Sequence, residues 1–384
     1  MRDAAYSMLT WRDGGQAHSV CWRSQADLPP PRRVVLADDT IRADHAYHLA
    51  CEGTAILWRG DFNNARQLLQ AIARRIERRP IKHGTSSRQT FNLHRLAQSQ
   101  RARTLAMLLV PLDADYRIPL RRAPDLRDAC EHAYGSPSGG GSASVVSLRE
   151  LLGVVGAYEW SRKGVAIDAL GGARIYPHYG VFSPVRGEYL DLIAQAPLPD
   201  GASELAFDVG TGTGVIAALL ARRGVRHVVA TDVDPRACAC ARENIARLGL
   251  EAQVDVVQAD LFPVSRRAPL VVCNPPWVPA RPSASIEHAV FDPDSRMLRG
   301  FLAGLAAHLA PRGEGWLIMS DLAEHLGLRS RDAWCSMTAE AGLQVLDRTD
   351  IRPRHPKAAD AADPLHEARA LEVTSLWRLA ARCG

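Results

Sequence analysis

Eight cysteines are scattered along the chain, and none forms a Cys-x-x-Cys pair. That absence argues against a thiolate zinc site and against a disulfide framework; buried thiols in a reducing compartment are expected, and no metal. Cys238 and Cys240 stand two apart inside a helical pattern and so face different ways. The opening residues Met1-Arg2-Asp3-Ala4 carry no apolar signal core, and no apolar run approaches a membrane span. The expected location is therefore the cytoplasm, with no membrane partner. Net charge is small as well, +5 at pH 7, which does not match an obligate nucleic-acid binder. No internal repeat is present.

What is there is a chain of 384 residues, 47% hydrophobic, enough for two domains with their own cores. The run Gly135-Ser136-Pro137-Ser138-Gly139-Gly140-Gly141-Ser142-Ala143-Ser144 has too few apolar side chains to pack and reads as a spacer. It separates an N-terminal domain (1–134) from a linker (135–144) and a C-terminal domain (145–384). In the first domain, Asn64–Arg79 has the apolar spacing of a helix that Pro80 stops, and Leu105–Val110 reads as a buried strand. The expected class there is α+β, with a recognition role.

Beyond the linker, Leu148–Val155 reads as a helix, and Gly171-Gly172 joins two short strands in a hairpin. From 203 onward strands and helices alternate. The strands are Leu205–Val209, His227–Thr231, Val254–Gln258, Leu270–Cys273, Trp316–Ser320, Leu343–Leu346 and Glu372–Trp377. The helices are Val215–Arg222, Pro235–Leu248 and Ser295–Leu309. That rhythm predicts an α/β domain, a Rossmann-like seven-stranded sheet covered on both faces. A polar stretch separates the last two strands, so they are expected to form an antiparallel pair. The stretch itself, Asp350–Glu367, is either a substrate lid or disordered.

Asp208-Val209-Gly210-Thr211-Gly212-Thr213-Gly214 ends the first of those strands and opens onto a helix. Glycine permits the tight turn and lets backbone approach a ligand. A dinucleotide loop has Gly-x-Gly-x-x-Gly, whereas here the third glycine arrives one residue early and position 215 is Val. Asp208 would repel a pyrophosphate and attract a cationic amine or sulfonium, which favours S-adenosylmethionine (SAM) over NAD. Asp232 ends the second strand, 18 residues after Gly214 (232 − 214), where a carboxylate accepts hydrogen bonds from ribose hydroxyls. Asp260 follows the third strand and suits an adenine amino group, with Leu261 or Phe262 against the ring. A plain structural turn is the alternative for the glycine string taken alone.

Asn274-Pro275-Pro276-Trp277 follows the fourth strand, at the end of an open sheet that faces ligands. Two prolines stiffen the backbone. The Asn274 side-chain oxygen and the Pro275 carbonyl are both acceptors, matching the two hydrogens of a planar amino group. Trp277 offers a ring to stack on the attached flat group. A sulfonium donor needs no strong base, so alignment carries the chemistry. A Pro-Pro loop with an asparagine cap is the alternative.

In these strings, residues 175–380 resemble class I SAM-dependent methyltransferases of the small-domain type. These include the release-factor glutamine N5-methyltransferases and the ribosomal-RNA guanine N2-methyltransferases. The resemblance implies that Asp208, Gly210, Thr211, Gly212 and Gly214 hold the methionyl part. It places Asp232 on the ribose, Asp260 and Leu261 near adenine, and Asn274 to Trp277 on the target amine. In Tyr176-Pro177-His178-Tyr179-Gly180-Val181-Phe182-Ser183-Pro184 it implies that Phe182 and Pro184 cover the cofactor. The family's last motif letter is Tyr or Phe, so Trp277 is a departure.

The expected activity is methyl transfer to an amino or amide nitrogen of a protein, peptide or RNA acceptor, by a monomer or a homodimer. A natural-product tailoring enzyme acting on another nucleophile, or a non-catalytic SAM- or RNA-binding module, stands as the alternative. Between Arg74 and Arg103 nine Lys/Arg face one acid, Glu77, but the stretch has a lone aromatic, Phe91; either an RNA grip or a solvated face fits. His83, His94, His178 and His288 are expected to be structural, and Glu287-His288 with Phe291–Asp294 is expected to line the substrate mouth.

Overall fold

The computed structural model describes residues 7–25, 28–78, 84–137, 142–264, 266–282, 287, 289–354 and 360–382. The chain divides into two compact units. One is Met1–Lys82 with Asn92–Glu159, the other His83–Phe91 with Trp160–Gly384.

The first unit contains six strands: β1 (Met8–Asp13), β2 (Gln16–Arg23), β3 (Arg33–Ala37), β4 (Thr54–Trp58), β5 (Leu108–Leu112) and β6 (Ser144–Ser147). They form one mixed sheet in the order β1-β2-β6-β5-β4-β3. β4 reads Thr-Ala-Ile-Leu-Trp and every residue is buried, as expected of a strand covered on both faces. Five helices accompany the sheet: α1 (Ala43–Cys51), α2 (Phe62–Glu77), α3 (Ser87–Leu105), α4 (Arg127–Tyr134) and α5 (Leu148–Lys163). α2 begins where the Asp61 side chain accepts from the Asn63 amide. It buries Phe62, Ala65, Leu68, Leu69 and Ile72, so the helix expected at 64–79 is present; Arg79 and Pro80 lie outside the described residues.

The Gly/Ser run does not mark the division between the units. β6 lies within the first unit: it pairs in parallel with β2 (Trp22 with Val145) and antiparallel with β5 (Val110 with Val146). α5 continues from that strand, and the units part at residues 159/160 within α5. The boundary expected at 135–144 is therefore corrected. A four-residue strand offers too short a pattern to be separated from the spacer before it. Residues 138–141, the centre of the spacer, lie outside the described residues.

The second unit opens with a small hairpin, β7 (Val165–Ile167) with β8 (Ala173–Ile175). Seven further strands form one sheet. They are β9 (Ala206–Val209), β10 (Val228–Asp232), β11 (Val254–Gln258), β12 (Ala268–Cys273), β13 (Leu309–Ser320), β14 (Leu343–Ile351) and β15 (Thr374–Ala381). Their order is β11-β10-β9-β12-β13-β15-β14. The first five run parallel, and β15 is inserted antiparallel between β13 and β14, so the last two strands do pair antiparallel.

The helices of this unit are α6 (Glu188–Gln195), α7 (Val215–Arg222), α8 (Pro235–Arg247), α9 (Arg296–His308), α10 (Leu322–His325), α11 (Arg331–Glu340) and α12 (His366–Leu371). Successive strand residues go to opposite faces. Ala206, Val228, Leu270, Val272, Trp316 and Ile318 pack with α6 and α7 residues such as Ile193 and Leu219. Phe207, Val209, Val271, Cys273, Leu317 and Met319 pack with Phe301 and Leu305 of α9 and Trp334 of α11. The mixed α/β fold thus follows from strands with apolar side chains on both faces.

Of the stretch 350–367, Asp350 and Ile351 end β14, and 355–359 lie outside the described residues. Residues 360–362 are exposed, and beyond them Leu365 and Ala368 are buried beside Leu322 and Leu326.

Candidate active site

The parallel strands β9, β10 and β12 lie side by side and point their carboxyl ends the same way. Asp208, Asp232 and Asn274 are at or just beyond those three ends. This is where an open α/β sheet holds its ligands.

The glycine loop is shaped by three left-handed residues, Gly210 (φ 75°), Gly212 (φ 55°) and Gly214 (φ 81°). They have different surroundings. A Cβ on Gly214 would stand 3.2 Å from Ala241 of α8, so this glycine serves helix packing. A Cβ on Gly210 would meet the mobile end of the Met297 side chain, and one on Gly212 would meet nothing within 4 Å. Gly212 therefore borders open space, as a loop that lets a ligand approach its backbone must. The amides of Gly210 and Thr211 both donate to the Thr231 carbonyl at 2.8 Å, tying the loop to the end of β10.

Asp208 is fully buried. Its Oδ2 accepts from Thr211 Oγ1 (2.6 Å) and from the Ala217 amide (3.0 Å), which folds the loop back onto the first turn of α7. Its Oδ1 has no hydrogen-bond partner among the described residues. Burial pushes its carboxyl up to about 7, against the Thr211 and Ala217 hydrogen bonds, and the Asp232 charge adds to the rise. An unsatisfied buried oxygen costs roughly 1–3 kcal/mol, so a cationic donor fits this place. Ser183 Oγ, between Phe182 and Pro184, is also buried without a partner. Phe182 is half-buried and Pro184 buried.

Asp232 is already engaged by backbone: Oδ2 accepts from the Gly212 amide and Oδ1 from the Asp234 amide, both at 3.0 Å. Each oxygen keeps a second lone pair. Burial raises its pKa against these hydrogen bonds. Asp260 is exposed, and Leu261 has a left-handed backbone (φ 67°), an uncommon conformation for a γ-branched residue. Thr231 Oγ1 donates to the Leu261 carbonyl and holds that turn. Of the two residues expected beside adenine, Phe262 is committed elsewhere. It stacks on His308 (4.2 Å between centroids) and on Phe301 (5.6 Å).

Asn274 is half-buried, Pro275 buried, and Trp277 half-buried. Trp277 Nε1 donates to Asn274 Oδ1 at 3.0 Å. The Arg186 guanidinium lies 5.5 Å from the centre of the indole. A face of the indole thus carries an arginine, and its N–H is turned toward Asn274. Cys273, just before the loop, is fully buried, and burial with the Asp208, Asp292 and Asp232 charges raises its pKa well above the usual thiol value. No thiolate nucleophile is available there.

Three residues that the sequence did not single out, Asn244, Arg329 and Arg186, organise the site together with Asp292, which was expected at the substrate mouth. Asn244 is fully buried; its Oδ1 accepts from the Tyr176 amide (2.8 Å), and its Nδ2 donates to the Tyr176 (3.1 Å) and Thr213 (3.0 Å) carbonyls. It fastens the segment before α6 to the glycine loop. Its signal was an amide on the apolar side of α8, beside Ala241 and Ile245. Asp292 caps α9, accepting from the Met297 (3.0 Å) and Leu298 (3.2 Å) amides, while its own amide donates to the Val278 carbonyl (2.9 Å). Arg329 Nη2 donates to the Trp277 carbonyl (3.3 Å). Arg186 is held by Glu188 (2.9 Å) and Glu372 (3.3 Å).

The histidines divide as follows. His178 Nε2 pairs with Glu243 at 3.1 Å, a structural placement. His83 and His288, the latter part of the expected substrate mouth, lie outside the described residues; His94 is in α3. Phe91 is buried with Val278, Leu322 and Leu326 rather than displayed to a base. Among the described residues no group of His, Cys, Asp and Glu is arranged to hold a metal, and no helix is long and apolar enough to cross a membrane.

The model of the methyltransferase small domain matches residues 173–326. A release factor glutamine methyltransferase of Cereibacter sphaeroides is 38% identical over 163 residues, covering 38% of this chain and 56% of that protein. The chain thus spans about half the length of that relative. The release factor glutamine methyltransferase of Deinococcus radiodurans is 33% identical over 225 residues, covering 55% of this chain and 73% of that protein. Among solved structures, a methyltransferase from Pyrococcus furiosus is 18% identical with a TM-score of 0.39, covering 59% of this chain and 98% of that one.

Proposed function

Because the chain belongs to the class I SAM-dependent methyltransferase family that includes the release factor glutamine methyltransferases, we propose that it transfers a methyl group to a planar amino or amide nitrogen of a protein, peptide or RNA acceptor. The observation that carries this reading is the meeting, at three adjacent strand ends, of an unpartnered buried carboxyl oxygen on Asp208, the open Gly212 and the acceptor-bearing Asn274-Pro275.

The residues fit the cofactor. Asp208 Oδ1 would take the methionyl ammonium, and Gly210, Thr211, Gly212 and Gly214 would carry the backbone around it. Asp232 would take the ribose hydroxyls on its spare lone pairs, and Asp260 with Leu261 would border the adenine. Phe182 and Pro184 would cover it. When bound, SAM supplies an electrophilic methyl carbon on a sulfonium. Asn274 Oδ1 and the Pro275 carbonyl orient the acceptor by accepting its two N–H hydrogens, which turns the nitrogen lone pair toward that carbon. Trp277 walls the acceptor site. No side-chain base is required before transfer.

In this reading the seven-stranded unit is the catalytic domain and the N-terminal unit a separate recognition domain. The family relatives named as acting on release factors and on ribosomal protein L11 favour a macromolecular acceptor in the cytoplasm. Tritium from labelled SAM, added with the protein to a fractionated lysate, is expected in the protein or RNA fraction. Label confined to small molecules, or absent, would overturn the assignment of the acceptor.

A further inference from the structure

An asparagine carboxamide presents an oxygen on one side and an NH2 on the other, and a half-turn about its last bond exchanges them. An amine clamp works with one orientation only. With Nδ2 turned to the acceptor, two donors would face each other. Something must therefore choose the rotamer of Asn274, and the backbone prolines cannot.

The indole N–H of Trp277 is a donor with no acceptor capacity. Its 3.0 Å contact with Asn274 Oδ1 is possible only when the oxygen is on the loop side. A half-turn would replace that hydrogen bond by a clash of donors. The indole is in turn fixed from outside the loop. Arg186 covers a face at 5.5 Å, and Arg329 holds the Trp277 carbonyl at 3.3 Å. Arg186 itself is drawn into place by Glu188 and Glu372, whose side chains are 5% and 2% exposed. Glu372 also accepts from Ser320 Oγ at 2.7 Å, at the end of β13. Two buried carboxylates sharing one guanidinium leave Arg186 little freedom to swing away, since departure would strand both charges.

We propose that Trp277 and Arg186 are positioning residues: Glu188 and Glu372 fix Arg186, Arg186 fixes the indole, and the indole N–H sets the Asn274 carboxamide in its amine-accepting orientation. This deepens the proposed function and rests on it. It also gives the Trp in place of Tyr or Phe a physical task, because a phenyl ring at this position has no N–H to offer. The one oxygen serves both partners: a carbonyl has two lone pairs, one for the indole and one for the acceptor.

The test uses the full chain and Trp277→Phe, which keeps an aromatic ring and deletes the donor. SAM affinity by calorimetry is expected to stay within about twofold, while the initial rate of tritium transfer from saturating SAM into the lysate acceptor falls about tenfold or more, the worth of one hydrogen bond. Arg186→Lys, which keeps the charge, is expected to retain more of the rate than Arg186→Met. A spectroscopic readout separates positioning from general damage. With tryptophan labelled by nitrogen-15, the indole cross-peak lost in Trp277→Phe identifies Trp277. That peak is expected to shift and to exchange faster with water in Asn274→Ala and in Arg186→Met, with the other indole peaks in place. Transfer at the wild-type rate by Trp277→Phe, or an unmoved peak in Asn274→Ala, would overturn the proposal. Transfer that survives in Asn274→Ala would instead overturn the amine clamp itself, so the two failures are distinct.

Discussion

Asp208→Asn is the perturbation with the most definite consequences. The carboxyl is fully buried, with its pKa pushed from 3.8 up to about 7. A rise of roughly 3 units corresponds to roughly 4 kcal/mol between protonation states. Its folded pKa exceeds the unfolded one, so the native state holds the extra proton through this range. The stability this confers is complete below about pH 4 and is lost as pH rises through about 7. Without cofactor, the wild-type protein should therefore lose stability between pH 4 and 8, and Asp208→Asn should flatten that slope. A cationic ligand prefers the ionised carboxylate. SAM binding should accordingly release about 0.9 proton at pH 6 and about 0.1 at pH 8, for a group titrating near 7. Calorimetry in buffers of different ionisation heat counts these protons. The amide variant can still accept from the Ala217 amide, but it loses a charge-assisted hydrogen bond worth about 1.5–3 kcal/mol, so its SAM affinity should fall about 10- to 100-fold and its proton release should vanish. Equal binding heats in all buffers at pH 6, or SAM affinity in Asp208→Asn within about twofold of wild type, would refute the reasoning.

Other substitutions separate the roles of neighbouring groups. Gly212→Ala places a methyl in open space beside the proposed cofactor, at φ 55°, and should weaken SAM binding with a stability loss of about 1 kcal/mol. Gly214→Ala drives a methyl to 3.2 Å from Ala241 and should lower the melting temperature more, by about 2–4 kcal/mol of stability. Asp292→Ala removes the cap of α9 and should cost about 1–2 kcal/mol, read as a lower denaturant midpoint with an unchanged slope.

Much of the catalytic unit was legible because its strands are buried on both faces. Val254–Gln258 and the helix Val215–Arg222 match the expected bounds residue for residue, and the rest of the parallel set differs by one or two residues at most ends. β13 is the exception. It begins at Leu309, seven residues before the expected start, because Pro311, Arg312 and Gly313 read as a turn while Ala268 pairs with Leu309 beyond them. In the first unit, β6 was hidden by the Gly/Ser run it follows. Its partner strands lie about 35 and 120 residues away, so no local pattern announces the pairing. At the site, Asp208, Gly212 and Asn274 could be placed from motif and strand order. The partners of Trp277 could not. Arg186 and the Glu372 that holds it are 186 residues apart, and only the folded chain brings them together beside the indole's arginine-covered face. The choice between Leu261 and Phe262 was open for a related reason: an aromatic after a strand can turn to a ligand or to a helix, and the partners of Phe262, His308 and Phe301, come from outside the local sequence.

The central claim is that Asn274 orients the nitrogen that receives the methyl group. It is tested most directly by Asn274→Ala, with SAM binding measured by calorimetry and transfer measured as tritium incorporated into the lysate acceptor. The account predicts affinity within about twofold of wild type together with loss of transfer, since deletion of an orienting acceptor leaves the cofactor loop intact. Continued transfer by a variant that binds SAM normally would contradict it.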